Sequence, residues 1–269
     1  MKKDNKHSYE HELFLKKQKR ETVVVIFCQI AVLIAIILLW ELMVKIGVFD
    51  AFITSSPSKI AVTVYDLFAN NDLLYHIGIT LYETVIGFAI SVIFGYGIAL
   101  ILWWSTRLKR ILEPYIVVLN SLPKIALGPI IIVWFGSGER AIIAMAVLIS
   151  IIVCLMTMLG AFYETDKDKI LLLKSMGANK FTIMKKLVIP SSKEAFINML
   201  KIALGMAWIG SIMGEYLVSK AGLGYLIVYG SQVFKLDLVM ASTVVLLILS
   251  GIMYYLVTLL EKALIKHDK

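Results

Sequence analysis

Charge is scarce in this chain. Asp, Glu, Lys and Arg make up 17% of its 269 residues, where soluble domains carry about a quarter. With 59% of the residues apolar and a mean hydropathy of +0.85, a water-soluble globule and a disordered chain are both excluded. Cysteine is scarcer still: Cys28 and Cys154 stand far apart in apolar runs, with no CxxC pair. That excludes a disulfide framework and a thiolate metal site, and leaves two buried packing thiols. The four histidines, His7, His11, His76 and His267, all fall near surfaces and have no cluster of nucleophile, base and metal ligands around them. His7 and His11 are four apart and read as part of a solvated helix on the inner leaflet. No G-x-x-x-x-G-K-[ST] occurs, so the chain holds no nucleotide in a P-loop. No cofactor, metal or catalytic residue is expected.

What the chain has is long apolar runs. A helix needs about 20 mainly apolar residues to cross the hydrocarbon core, and six stretches meet that need: 23–44, 80–104, 111–135, 141–161, 196–217 and 238–260. The first is too long for a signal-peptide core and has no A-x-A-like cleavage site. The expected protein is all-α and transmembrane, with six membrane-spanning helices. It has a cytoplasmic tail 1–22, one transmembrane domain 23–260 and a second cytoplasmic tail 261–269. The formal net charge is +8, and the placement of Lys and Arg gives the orientation. With the N-terminus inside, 20 of the 27 basic residues fall on the cytoplasmic side and five outside, while Lys124 and Lys201 lie within spans. Both termini are then cytoplasmic, and the positive excess marks topology, not nucleic acid. On the outer side Ser56 as N-cap and Pro57 at the first helical position start a short helix reaching Ala69. Ile60, Val64 and Leu67 share one of its faces, which suits a helix lying on the outer surface.

The cytoplasmic loop 162–195 is the most informative stretch. Thr165 is placed to cap a helix with Asp166 and Asp168 in its first turn. Gly177 stands where a left-handed C-terminal residue belongs. Asn179 caps a second short helix, Lys180–Lys186, and Pro190 suits the turn into the fifth span. The pair exposes Leu171, Leu172, Leu173, Phe181 and Ile183, more apolar surface than a solvated loop carries. Short helices are marginal in water on their own, so a soluble partner docking there is expected.

Gly177 and Pro190 are separated by twelve residues, with Leu187-Val188-Ile189 before the proline. This resembles the EAA loop of ABC importer permeases, E-A-A-x3-G-x9-I-x-L-P. The segment Ser121-Leu-Pro-Lys-Ile-Ala-Leu-Gly-Pro-Ile-Ile-Ile-Val-Trp-Phe-Gly136 is similar to the third span of the nitrate, sulfonate and taurine branch. So are Ile202-Ala-Leu-Gly-Met-Ala-Trp208 and Gly222-Leu-Gly-Tyr-Leu-Ile227. Leu171-Leu172-Leu173 stand where that family often has Glu-Ala-Ala, so the role of its glutamate does not carry over. The resemblance implies the type I ABC importer permease fold, with the loop as coupling helices. It also implies ABC ATPase subunits docked at Leu171, Gly177, Ala178, Asn179, Lys180, Phe181 and Pro190. A second permease copy, an extracellular or periplasmic substrate-binding protein and a bacterial cell membrane complete the expectation. The implied cargo is a small anion such as an aliphatic sulfonate, taurine or nitrate, with a thiamine-precursor pyrimidine as the alternative. A self-sufficient secondary transporter would show inverted repeats and acidic relays in its spans. No such repeat is visible, and Glu41, Glu83 and Glu215 are scattered.

Lys124 lies near the middle of the third span, between Pro123 and Gly128-Pro129. A charge there costs roughly 2.5–3.5 kcal/mol on insertion scales, so it should face a cavity or a partner. The prolines predict a broken or kinked helix whose freed backbone lines a pathway. Trp208, mid-span, is read as a pathway wall or a packing residue, and Glu215 as a gate or structural charge. Gly210 and Gly214 form a small-xxx-small pattern for close helix approach.

Overall fold

The computed structural model describes residues 9–70 and 72–265, with backbone alone at 9–13, 19 and 263–265. The His7–His11 pairing and the end of the second tail lie outside the described residues. Among those residues every regular element is helical: α1 (Tyr9–Lys45), α2 (Ala51–Thr54), α3 (Pro57–Ala69), α4 (Asp72–Trp104) and α5 (Thr106–Ser121) come first. A 3-10 turn (Lys124–Leu127) leads to α6 (Gly128–Phe135), α7 (Glu139–Tyr163), α8 (Lys167–Ser175) and α9 (Lys180–Ile183). A π turn (Met184–Val188) then joins α10 (Ile189–Ser191), α11 (Lys193–Val218), α12 (Leu223–Gln232) and α13 (Leu236–Ile265).

Five helices, α1, α4, α7, α11 and α13, are long and apolar enough to cross a membrane, and α5 with the 3-10 turn and α6 makes a bent pair, either a broken sixth span or a re-entrant loop. The expected single run 111–135 is therefore two helices, bent by 90° at the break. Pro123 explains the site of the bend, because a residue before proline avoids the helical region and Leu122 is extended at φ −66°, ψ 138°. The other spans run several residues past the apolar stretches, since caps and polar end residues extend a helix beyond its greasy part.

The chain divides into two compact units, residues 1–63 and 64–269. In the first, α1 exposes its apolar side chains on all sides. Cys28 is exposed among them, which corrects the expectation of a packed thiol: α1 has no buried face in which to pack it. Glu41 near the end of α1 accepts hydrogen bonds from Ser58 N–H (3.1 Å) and Ser58 Oγ–H (2.9 Å). Ser56 Oγ accepts from Lys59 N–H at 3.3 Å, so the expected cap forms.

In the second unit α4, α7 and α11 pack side by side through small residues. Ideal Cβ atoms at Gly87 and Gly210 would each come within 2.5 Å of Ala146, and one at Gly95 within 2.5 Å of Cys154. The Gly210–Gly214 pattern thus serves a contact inside the subunit, α11 against α7. Hydroxyls bridge the same helices: Thr84 with Ser211 at 2.6 Å, and Ser150 donating to Ser91 at 2.6 Å. Two further features were not expected. Helix α12 folds back between spans and packs Leu223 and Leu226 with Leu73 and Val245, a cluster that also takes Val64 and Leu67 of α3. Lys201 on α11 meets Glu261 on α13 at 2.6 Å, which holds an intramembrane charge in a pair.

Candidate functional site

The loop between α7 and α11 is a folded unit with two faces. Asp166, not Thr165, caps α8: its Oδ1 accepts from Asp168 N–H (2.9 Å) and Lys169 N–H (3.3 Å). Thr165 is buried instead, near Ser191 Oγ at 3.5 Å. The longer reach of an aspartate carboxylate, with two acceptor oxygens, explains why it takes the cap. These two N–H donors hold the Asp166 carboxyl below the usual carboxylate range. Its contribution to the helix is therefore present above the unfolded value and fades as pH falls through the lowered one.

Helix α8 ends as expected at Gly177, with φ +81°. Gly177 N–H donates to Lys174 O and Ala178 N–H to Leu173 O, both at 2.9 Å. This pair of bonds is the Schellman closure, which needs a left-handed residue at Gly177. Asn179 Oδ1 then accepts from Thr182 N–H and Thr182 Oγ–H, each at 2.8 Å, and so caps α9. Pro190 does not make a turn. It is the second residue of α10, one residue past the π turn, so the missing proline N–H falls at the edge of the widened stretch.

The inward face seats the loop on the spans. Ile183 and Val188 are buried with Ala99, Leu102, Met158 and Phe162, and Leu173 and Ala178 pack against that cluster. Two of the five residues expected on the docking face, Leu173 and Ile183, are therefore spent on the protein's own core. Lys180 adds a polar clasp: its ammonium donates to the Trp104 carbonyl at 2.6 Å, at the end of α4, and lies 5.4 Å from the Trp103 ring centre. A helix end leaves carbonyls unpaired and carries partial negative charge, so a lysine suits it. The outward face carries Leu171 (66% exposed), Leu172 (60%), Met176 (73%) and Phe181 (56%). Met176 joins the residues expected from sequence.

The other expected residues lie apart from the loop. Lys124 opens the 3-10 turn between α5 and α6 and donates to the Asn120 carbonyl at 3.1 Å. Trp208 is buried with Leu204 and Val257, and its indole N–H has no partner among the described residues. Glu215 is 1% exposed and accepts from Gly224 N–H (2.6 Å) and Tyr225 N–H (3.3 Å) of α12. Sequence reasoning missed its neighbours His76, Thr80 and Glu83. Their spacing of four and three along α4, inside an apolar run, was the signal that one face of that span is polar.

A family model described as binding-protein-dependent transport system inner membrane component matches residues 87–266. The formylaminopyrimidine transport permease protein of Halalkalibacterium halodurans is 30% identical over 190 residues, 71% of this chain and 75% of that one. The putative aliphatic sulfonates transport permease protein of Bacillus subtilis is 25% identical over 242 residues, 86% of this chain and 84% of its own. Among solved structures, a chain of the inward-facing MetNI methionine ABC transporter shares the fold. Its TM-score is 0.62 at 21% identity, over 73% of this chain and 96% of that one. Relatives of this kind are transport subunits, not enzymes. The chain belongs to the binding-protein-dependent transport system inner membrane component family, and is an integral membrane permease of the ABC importer type in bacteria.

Proposed function

We propose that this chain pairs with a second copy to form the membrane pathway of an importer for a small organic anion, an aliphatic sulfonate or taurine. ABC ATPase subunits dock on the 162–195 loop, and an external binding protein delivers the substrate. Both termini and the loop lie on the cytoplasmic side, between tails 1–22 and 261–269 and a transmembrane domain 23–260. The observation that carries the reading is the outward face of the loop. Leu171, Leu172, Met176 and Phe181 present an apolar surface on a body tied to α4 by Lys180. A partner that presses on this face moves the inner end of α4 with it, a hinge or shear transition that ATP binding can bias. Gly177, Ala178, Asn179 and Pro190 shape the loop, while Leu171, Phe181 and Lys180 make or transmit the contact.

The test is co-purification. Leu171→Asp with Phe181→Asp is expected to cut recovery of the ATPase with the tagged permease at least tenfold, with the permease still present in membranes. Undiminished recovery refutes the docking face.

Lys124, held at the turn between α5 and α6, supports an anionic cargo, and Trp208 is assigned to the wall of the same path. Glu215 is assigned to the gate. Lys124→Met is expected to raise the substrate concentration for half-maximal uptake several-fold in proteoliposomes with the binding protein and ATPase. Unchanged uptake removes Lys124 from the pathway. A formylaminopyrimidine permease among the relatives, at 30% identity, favours a second reading, an aminopyrimidine cargo. Uptake of labelled taurine, competed by an excess of either an alkanesulfonate or an aminopyrimidine, separates the two.

A further inference from the structure

Away from the loop, helix α12 starts on four consecutive backbone N–H groups that no acceptor within a helix reaches, because the first turn of any helix leaves its donors free. Side chains of two other helices take all four. Gly222 N–H donates to His76 Nδ1 at 2.8 Å, and Leu223 N–H to Thr80 Oγ1 at 2.8 Å, both on α4. Gly224 N–H and Tyr225 N–H donate to Glu215 Oε2 on α11, at 2.6 and 3.3 Å. The Tyr225 ring stacks on His76 with centroids 6.0 Å apart. The fit leaves no slack: a Cβ at Gly224 would stand 2.9 Å from Glu215 Cβ, and one at Gly222 would overlap the Glu215 carboxylate.

This seat is held against a penalty. Two carboxyls, Glu83 on α4 and Glu215 on α11, are buried. Each is 1% exposed, and Glu83 Oε2 and Glu215 Oε1 have no partner among the described residues. Unpaired buried acceptors cost free energy that hydration returns. Seating α12 closes four N–H bonds while Glu215 Oε1, in the carboxylate that holds it, stays unpaired. Both ends of α12 carry hinge backbone as well, Gly222 at φ +113° and the exposed Phe234 at φ +56°. A short element with a hinge at each end has the form of a gate.

We propose that α12 is the moving part of the gate on the side opposite the coupling loop, and that Glu215 is its positioning residue. Glu215 holds α12 shut by gripping Gly224 and Tyr225, while His76 and Thr80 register it against α4. Relative movement of α4 and α11 pulls the acceptors apart and releases the helix. This rests on the importer reading above, since it names the gate that the loop would work.

The test uses the full chain in proteoliposomes, with Cys28→Ser and Cys154→Ala and a reporter thiol at Leu226→Cys, a position on α12 that is 6% exposed while the helix is seated. A membrane-impermeant maleimide, applied from each side in turn, reads how often α12 leaves its seat. Glu215→Ala is expected to raise the labelling rate at least tenfold from one side only. Glu215→Gln, which keeps a carbonyl acceptor, should raise it two- to fivefold, and Thr80→Val by a similar factor. Equal labelling in the parent, Glu215→Gln and Thr80→Val overturns the proposal, and these two milder variants decide the matter if Glu215→Ala does not assemble. Labelling needs neither ATPase nor substrate, so it still reports on α12 if ATP-driven uptake by the parent protein fails. In the complete importer, Glu215→Gln should also raise ATP hydrolysis without the loaded binding protein several-fold while uptake falls, a split that a merely weakened fold does not produce.

Discussion

Valine in place of Gly210 is expected to remove most of the folded permease from the membrane. At this point α11 crosses α7 with no side chain between them. A Cβ at 210 would stand 2.5 Å from Ala146 Cα, 2.9 Å from Ala146 N and 2.9 Å from Met145 O. All three are backbone atoms of a helix, which cannot rotate aside as a side chain can. Ala146 is already met from its other side by Gly87 of α4, where a Cβ would come within 2.5 Å of the alanine Cβ. The three helices therefore touch through one alanine and two glycines, and α7 cannot retreat from α11 without driving into α4. Overpacking of this kind costs about 3 kcal/mol or more, a large part of a net stability of about 5–15 kcal/mol. The expected result is a melting temperature in detergent lower by about 10 °C and a sharp loss of monodisperse protein. Gly205→Ala on the same helix is the control, because a Cβ there meets nothing within 4 Å. A Gly210→Val protein that melts with the parent would mean that α7 and α11 do not cross as described.

Gly177→Val is expected to leave the permease in the membrane and abolish ATP-driven uptake. Nothing crowds Gly177, for a Cβ there meets no atom within 4 Å, so the whole effect is backbone conformation. At φ +81° a β-branched residue is a genuine outlier, and the left-handed region costs about 1–2 kcal/mol for an ordinary L-residue. The loop has little stability to spend, since α8 has no buried residue. Relaxing Gly177 breaks both closing bonds of α8 and turns Leu173 and Ala178 off the cluster beneath them. The exposed face of Leu171, Leu172 and Met176 then points elsewhere. Asparagine tolerates the left-handed region far better, so Gly177→Asn should keep a substantial fraction of uptake. Uptake per permease, against the amount of permease in the membrane, checks the series. Equal uptake by the valine and asparagine variants would detach the turn from coupling.

The sequence carried these features unevenly, for physical reasons. Apolar runs long enough to span a membrane are a one-dimensional property, and five of the six expected runs are single long helices. The break in the third run was legible too, because proline acts on its own neighbours. What hydropathy does not encode is which side of an apolar helix meets protein and which meets lipid. Leu173 and Ile183 look the same in the sequence as Leu172 and Phe181, yet two turn inward and two outward. The cap of α8 was misplaced by one residue, since Thr165 and Asp166 are adjacent and both good caps, and the burial of Thr165 shows only in the fold. Helix α12 was missed because its start is satisfied from His76, Thr80 and Glu215, partners up to 146 positions away. Gly222 and Gly224 showed only as part of a resemblance, without the carboxylate that explains them.

The π turn at Met184–Val188 has a consequence for descent. A turn closed by i→i+5 bonds holds one residue more than an α turn, so that residue is removable without breaking the helical path. Its loss would twist everything before it by about 100° about the axis relative to α11. Ile183 would leave its socket and a different edge of α8 would meet the partner. Relatives one residue shorter between 184 and 188 should therefore carry their buried residue at a shifted position, with a differently shaped ATPase surface to match. In such an alignment a single gap marks a change of partner, not a drifting loop.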